Sequence, residues 1–337
     1  MNAPDPSFEH IVAMSDGIGT FEHAEYSAAR VGEGYCSDDM ARVLIATCRQ
    51  PRPDGVVVGL ARLAFRFLAD AQGADGRVRA RRAAGGRWQR ERGVDDCWGR
   101  TMWAFGTASR HAPDDWMRVR AGTTFDRGLE QRSPSPRAMA FAALGAADVL
   151  AVQPHHAGAR RLLADAVDVI GRPARDPAWS WPEPRLAYAN AVLAEALVAA
   201  GWFLGRPDVL DDGLVMLRWL LRRETIDDHL SPTSAGGAGP DDRPPMFDQQ
   251  PIEAASMADA CARAYEVTAD SAWIEGIELA AGWFLGANDV GLPVADVERG
   301  AGYDGLETGG VNLNQGAEST LALITTLQHA RAMVPSG

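Results

Sequence analysis

"FDQQPIEAASMADACARAY", residues 247–265, carries the pattern on which the fold turns. Asp248, Gln249 and Gln250 stand in a row before a proline, Glu253 follows, and then an unbroken run of small and apolar residues begins. Pro251 suits the first position of a helix, where its missing N–H costs nothing, and Glu253 then falls where a capping-box side chain reaches back to its own helix start. Side chains this small, on nearly every face, suit a helix crowded by neighbours on all sides.

Five other stretches repeat the pattern of a polar cluster followed by a small-residue run. They start at Gly34, Gly93, Ser133, Arg185 and Val311. The interval is irregular, about 40–65 residues, which fits one helical hairpin plus loops per repeat rather than a tandem solenoid. Between these runs lie segments with apolar residues at helical spacing and more Arg and Asp, as half-solvated helices require. They fall at 55–73, 114–131, 155–171, 208–224 and 271–289, with residues 5–16 able to supply a sixth. Six inner and six outer helices predict an all-α (α/α)6 toroid, a six-hairpin barrel, as one domain over 1–337. No sustained period-2 alternation points to a β-rich fold. The Gly/Pro-rich stretch 231–245 reads as a long loop over one end of the toroid, able to act as a mobile lid.

Composition narrows the function. The 337 residues carry 33 Lys+Arg against 45 Asp+Glu, a net charge of −12, which gives no electrostatic reason to bind nucleic acid or an anionic membrane. No apolar stretch is long enough to span a bilayer, and the N-terminus lacks the basic-then-apolar order of a signal peptide. Cys36, Cys48, Cys97 and Cys261 form no C-x-x-C pair, so they read as reduced thiols of a cytoplasmic protein. Cys36 and Cys97 flank acidic pairs, yet no histidine spacing supports a metal, and none is expected. No nucleotide-binding glycine motif or nucleophile elbow occurs, so no cofactor is expected.

In an up-down toroid all inner helices run the same way, so their polar starts meet at one end. Asp38 and Asp39, Asp95 and Asp96, Asn190, the Asp248–Gln250 row with Glu253, and Asn314, Gln315 and Glu318 should then face one funnel. Asp, Asn and Ser are favoured N-caps, and Arg42 and Arg100 sit three and four residues after Asp39 and Asp96, so capping and intrahelical pairing account for part of this. One cap suffices per helix, however, and two helix starts carry two acids each. The catalytic candidates are Asp39, Asp248, Asp96, Glu253 and Glu318, with Asp39 and Asp248 the preferred pair. Gln249 and Gln250 are expected to face the ligand, and Arg42 or Arg100 to tune a carboxylate. His23, just upstream, is a further candidate. Tyr35, Trp98 and Trp181, with Trp88 and Trp179, offer flat apolar faces beside the acids and amides, as a sugar needs. Trp103, Trp202, Trp219 and Trp283 lie within apolar helices and read as core.

Five stretches together resemble a known family: "GTFEHA" (19–24), "GYCSDDMARVL" (34–44), "DDCWGRTMWAFG" (95–106), "FDQQPIEA" (247–254) and "DGLETGGVNLNQGAESTLA" (304–322). The family pattern has Gln where this chain has Glu22 and Asn where it has Met40, a change able to alter a ligand contact. Its members are described loosely, as glycosyltransferase-like or glycosidase-like, and it is similar to the six-hairpin glycosidase superfamily. The resemblance implies an oligo- or polysaccharide substrate and leaves the reaction and the oligomeric state open. A glycoside hydrolase with two carboxyl groups is the first reading. A sugar epimerase or isomerase would want paired histidines, of which only His23 and His229 fall near the expected mouth. A non-catalytic glycan-binding partner of a glycosyltransferase is the third. The chain itself lacks the α/β pattern of a nucleotide-sugar transferase.

Overall fold

The computed structural model describes residues 3–89 and 91–333. Among them are twelve α-helices: α1 (Glu9–Ala13), α2 (Ser37–Arg49), α3 (Gly55–Ala71), α4 (Asp96–His111), α5 (Asp115–Gly128), α6 (Pro136–Val152), α7 (Ala157–Ile170), α8 (Ala191–Leu204), α9 (Pro207–Arg223), α10 (Pro251–Thr268), α11 (Ala272–Phe284) and α12 (Ala317–Ala332). The even-numbered helices form the inner ring. Each packs on the next, and α12 returns to pack on α2. Five odd-numbered helices form the outer layer, and α1, shorter than the expected segment, completes it against α12. This is the (α/α)6 toroid.

The residues make the division between layers. Every residue of α6 from Arg137 to Leu150, and of α8 from Ala191 to Gly201, is buried. On outer α3, by contrast, Val57, Leu60, Ala61, Ala64, Leu68 and Ala71 are buried at helical spacing while Arg62 and Arg66 face outward. The Asp54 carboxylate starts α3 by accepting from the Val56 and Val57 amides, each at 2.9 Å. Trp103, Trp219 and Trp283 are core, but Trp202 is 55% exposed. It lies in the last turn of α8, beyond the part of that helix that the ring covers.

Loop length gives the toroid two unlike ends. The five connections from inner to outer helix take two to five residues, whereas the six that lead into an inner helix take seven to 32. All described strands, two or three residues long, lie in these longer connections and pair as six short antiparallel pieces. The 231–245 loop is one such connection. Its first residues are buried, and Glu224 pins Thr233 through its amide at 2.9 Å and its hydroxyl at 2.5 Å. That half of the loop is fixed packing rather than a lid.

The ring is tightest between α4 and α6. A Cβ on Gly106 would overlap the carbonyl of Gly145, and one on Gly145 would overlap the carbonyl of Met102. Backbone lies on backbone here, so no side-chain rotation can make room. Gly106→Ala should therefore cost about 1–3 kcal/mol or more, read as a lower urea midpoint. An unchanged midpoint would mean the helices can part freely.

Candidate active site at the long-loop end

Where the long loops gather, a cavity of about 320 Å³ opens among the starts of α2, α10 and α12 and the 19–24 turn. From α2 come Asp38, Asp39 and Arg42. Gln250 enters from the start of α10, and Glu318 and Ser319 from α12. Glu22 and His23 form one wall, with Asp304, Asn312 and Cys36 beside them.

Arg42 organises the centre. Its Nη1 lies 2.8 Å from Asp38 Oδ2 and 2.8 Å from Asp39 Oδ1, and its Nη2 donates to Glu318. One guanidinium thus faces three carboxyl groups. Arg100 brings a second positive charge, with Nε 2.9 Å from Asp38 Oδ1 and its guanidinium 3.8 Å from the centre of the Phe141 ring. Three acids against two cations leave one carboxyl better off neutral. Asp39, 3% exposed, is the most buried of them. Burial pushes its pKa up to about 8 against the pull of Arg42, and Asp38 and Glu318 raise it further. Burial and then the charge of Arg42 lower the pKa of Arg100. Glu318 is held by the same Arg42, yet its side chain is 42% exposed.

The rest of the wall is anchored around these groups. The Glu22 carbonyl accepts from the Ala317 amide at 3.1 Å, which ties the 19–24 turn to the start of α12. Glu22 Oε1 meets Arg81 at 2.6 Å, and His23 Nε2 lies 3.5 Å from the same oxygen. Asp304 Oδ1 accepts from the Gly316 amide and the Ser319 hydroxyl, both at 2.8 Å. Glu22, Cys36 and Asp39 present ligand atoms within 4.8 Å of one another. Arg81 and Arg42 already hold the two carboxyls, and two guanidiniums oppose a cation there.

Other residues singled out from the sequence lie nearby in different roles. Asp95 is the N-cap of α4, accepting from the Cys97 amide at 3.2 Å. Asp96 sits half-buried beside Arg100, 3.5 Å from the Ser135 hydroxyl, with its pKa raised by burial. Glu253 was expected to cap its own helix. Instead it accepts from the Ala189 and Asn190 amides at 2.5 and 3.2 Å and from Asn190 Nδ2 at 3.3 Å, and so fixes the start of α8. Burial pushes its pKa up to about 8. Asn190 also accepts from Arg137 at 3.2 Å. Gln249 does not face the cavity. It is fully buried, its amide donating to Asp289 at 2.6 Å and accepting from Trp283 Nε1 at 2.9 Å.

Asp248 is exposed, packed with Gln250 beside Gly305. Partial desolvation of its carboxyl by these neighbours, and then the charge of Glu307, raise its pKa. Asn314 and Gln315 staple the turn at Tyr26, accepting from and donating to its backbone at 2.9 Å each. The aromatic residues serve the core. Tyr35 is buried against Phe21 with its hydroxyl 2.6 Å from Asp16, Trp98 is fully buried, and Trp181 stacks on Trp219. His229 bonds Asp289 at 3.0 Å, outside the cavity wall. Met40 is buried, with its sulfur accepting from the Thr20 amide at 3.1 Å. Sequence reasoning passed over Glu22 and Asp304 as site residues, although both stand inside the resembling motifs.

No protein-family model and no curated protein matches this sequence. Solved structures do match over its length. A sugar epimerase from a ruminal bacterium superposes with a TM-score of 0.70 at 12% identity, covering 97% of this chain and 96% of its own. A D-mannose isomerase gives 0.69 at 11%, covering 97% and 96%. A GH76 α-mannanase from Bacteroides thetaiotaomicron gives 0.58 at 9%, covering 88% and 86%. At such identities the likeness establishes the (α/α)6 fold.

Two predictions follow from these side chains. Gln249→Ala leaves the Trp283 N–H and the Oδ2 of Asp289 without a partner, while His229 keeps Oδ1, so stability should drop by about 2–4 kcal/mol. Gln250→Ala should leave it unchanged, and equal melting of the two variants would reject the clasp. The second concerns pH. Asp39 and Glu253, with pKa values of about 8, and Glu224, raised by burial to about 7, lose their protons near pH 4 in the unfolded chain. Between those values the folded state binds more protons, so stability is greatest on the acid side and falls as pH rises. Calorimetry from about pH 5.5 to about 9 should show Tm declining with pH, and a rising profile would rule these shifts out.

Proposed function

We propose that this chain is a carbohydrate-active enzyme, and specifically a glycoside hydrolase that works through two carboxyl groups. The observation that carries this reading is the pair of unlike carboxyls on Arg42. Asp39 is buried and holds its proton near neutral pH, while Glu318 is ion-paired and open to solvent. A buried carboxyl that keeps its proton, set beside a second carboxyl open to solvent, is what acid–base cleavage of a glycosidic bond requires. Asp39 is the proton donor to the leaving oxygen and Glu318 the base or nucleophile. Arg42, with one Nη on each, fixes their separation. Asp248 remains an exposed neighbour of Gln250, and the base role passes from it to Glu318.

Substrate class follows from the wall. Glu22, Asp38, Asp304 and Glu318 outnumber the guanidiniums that answer them, which favours a neutral sugar over a uronate or sugar phosphate. Gln250 and Asn312 supply donors and acceptors for hydroxyls without adding charge. The test is release of reducing ends from a panel of neutral oligosaccharides. Asp39→Asn should keep its fold and lose about 10²–10⁴ in turnover, and the activity of the native chain should fall above about pH 8 as Asp39 ionises. Wild-type turnover in Asp39→Asn would overturn the assignment.

A second reading is favoured by His23 in the cavity wall and by the likeness to the epimerase and the isomerase. Here His23 moves a proton at the carbon next to a sugar carbonyl. Deuterium uptake from solvent into a reducing sugar, abolished in His23→Asn, would establish it in place of hydrolysis. Saturable glycan binding with neither reaction would mark a non-catalytic partner.

A further inference from the structure

The opposite end of the toroid, where the short turns lie, holds a larger cavity of about 450 Å³ to which all six inner helices contribute. Three guanidiniums reach it. Arg49 meets Asp259 at 2.5 Å, Arg110 meets Asp148 at 3.1 Å, and Arg263 lies 3.9 Å from Glu195. His329 also bonds Asp259, at 2.6 Å, and His111 lies at the wall with its pKa lowered by burial. Burial, and then the charge of Asp259, hold the Glu195 carboxyl above its ordinary range, so it contributes little negative charge. Three cations therefore face two ion-paired carboxylates inside the cavity, with one more, Glu266, at its rim.

The polar inventory is also incomplete. Glu195 is 2% exposed, and its Oε2 finds no hydrogen-bond partner among the described residues; the same is true of Arg263 Nε. Buried polar atoms are seldom left so. The third carboxylate comes from the rim. Glu266, with a 55% exposed side chain, lies 2.7 Å from Arg263 and 3.8 Å from Arg110. The inner-helix C-termini favour basic residues here, which accounts for Arg49, Arg110 and His329 in last turns. It does not account for Arg263, more than a turn from the end of α10, or for a neutral acid beside it.

We propose that this cavity is a second ligand site, taking a small oxyanion, a phosphate or carboxylate group, between Arg263 and Arg110 in the place that Glu266 holds. Guanidiniums present paired donors that fit such groups. Tyr265, Ala262, Ala332 and Met333 in the same wall would receive an apolar or sugar remainder. The site shares no lining residue with the acidic cavity, and its ligand would carry the charge that the proposed sugar site disfavours.

Titration calorimetry at low ionic strength tests this, with inorganic phosphate and malonate as probes and no turnover required. The native chain should bind one equivalent of at least one probe, weakening as salt is raised. Removing the rim charge in Glu266→Gln should tighten binding by about tenfold, and Arg110→Gln should weaken it by about tenfold or more. Both side chains are partly exposed, and melting curves verify that the variants fold. Absence of saturable binding in both the native chain and Glu266→Gln overturns the proposal, as does an affinity that neither substitution changes. Selective binding of phosphate or of malonate identifies which oxyanion the site takes.

Discussion

Arg42 is the side chain on which the rest of the structure closes. It stands on the first inner helix and reaches Glu318 on the last, so one guanidinium joins the two ends of the ring. The contact is local in space and distant in sequence. Burying this charge would be costly alone, and it is tolerable because several carboxyls surround it. The excess of acids has a consequence for chemistry. Arg42 and Arg100 together cannot neutralise three carboxylates, so the deepest of them keeps its proton. The device that closes the toroid also sets the proton affinity of its candidate acid.

The polar clusters at the inner-helix starts divide their labour. Asp95 and Ser135 cap helices, as their residue types favour. Glu253, Asn190 and Gln249 bind one element to the next, spending every hydrogen bond on the protein itself. Asp38, Asp39, Gln250 and Glu318 are left to face the cavity. The clasps matter to the cavity even though they do not line it, because Glu253 fixes where α8 begins and Gln249 fixes the backbone that delivers Gln250. Rigid support of this kind is what a site needs to hold groups at productive distances.

The two ends of the toroid differ because the loops do. Long connections fold over the inner N-termini and bring in Glu22, Asp304 and Asn312 from outside the ring. Among the described residues, the tight turns at the other end bring in only Pro51, so that cavity is furnished almost wholly by the inner helices. Their last turns carry arginine and histidine, as the helix dipoles favour. One end is thus rich in acids, while the other sets three guanidiniums and two histidines among four carboxyls.

Much of this was legible in the sequence by itself. Six small-residue runs alternating with six amphipathic ones determined the toroid, because a helix crowded on all faces tolerates little else and a half-solvated one must alternate. The up-down order then determined that the polar starts share one end. What each polar residue does there was decided by tertiary structure alone. Asp39 and Glu253 look alike in sequence, as acids beside helix starts, yet one meets a shared arginine and the other a neighbouring helix's free amides. Gln249 and Gln250 are adjacent, yet one is buried and the other lines the cavity, since successive residues of an extended segment point to opposite sides. The aromatic residues were misread for the same reason: an apolar ring is buried wherever packing offers a surface, and Trp98, Trp181 and Tyr35 each found one in the core. Side-chain partners that lie hundreds of residues away leave no local trace, and here they decided the chemistry.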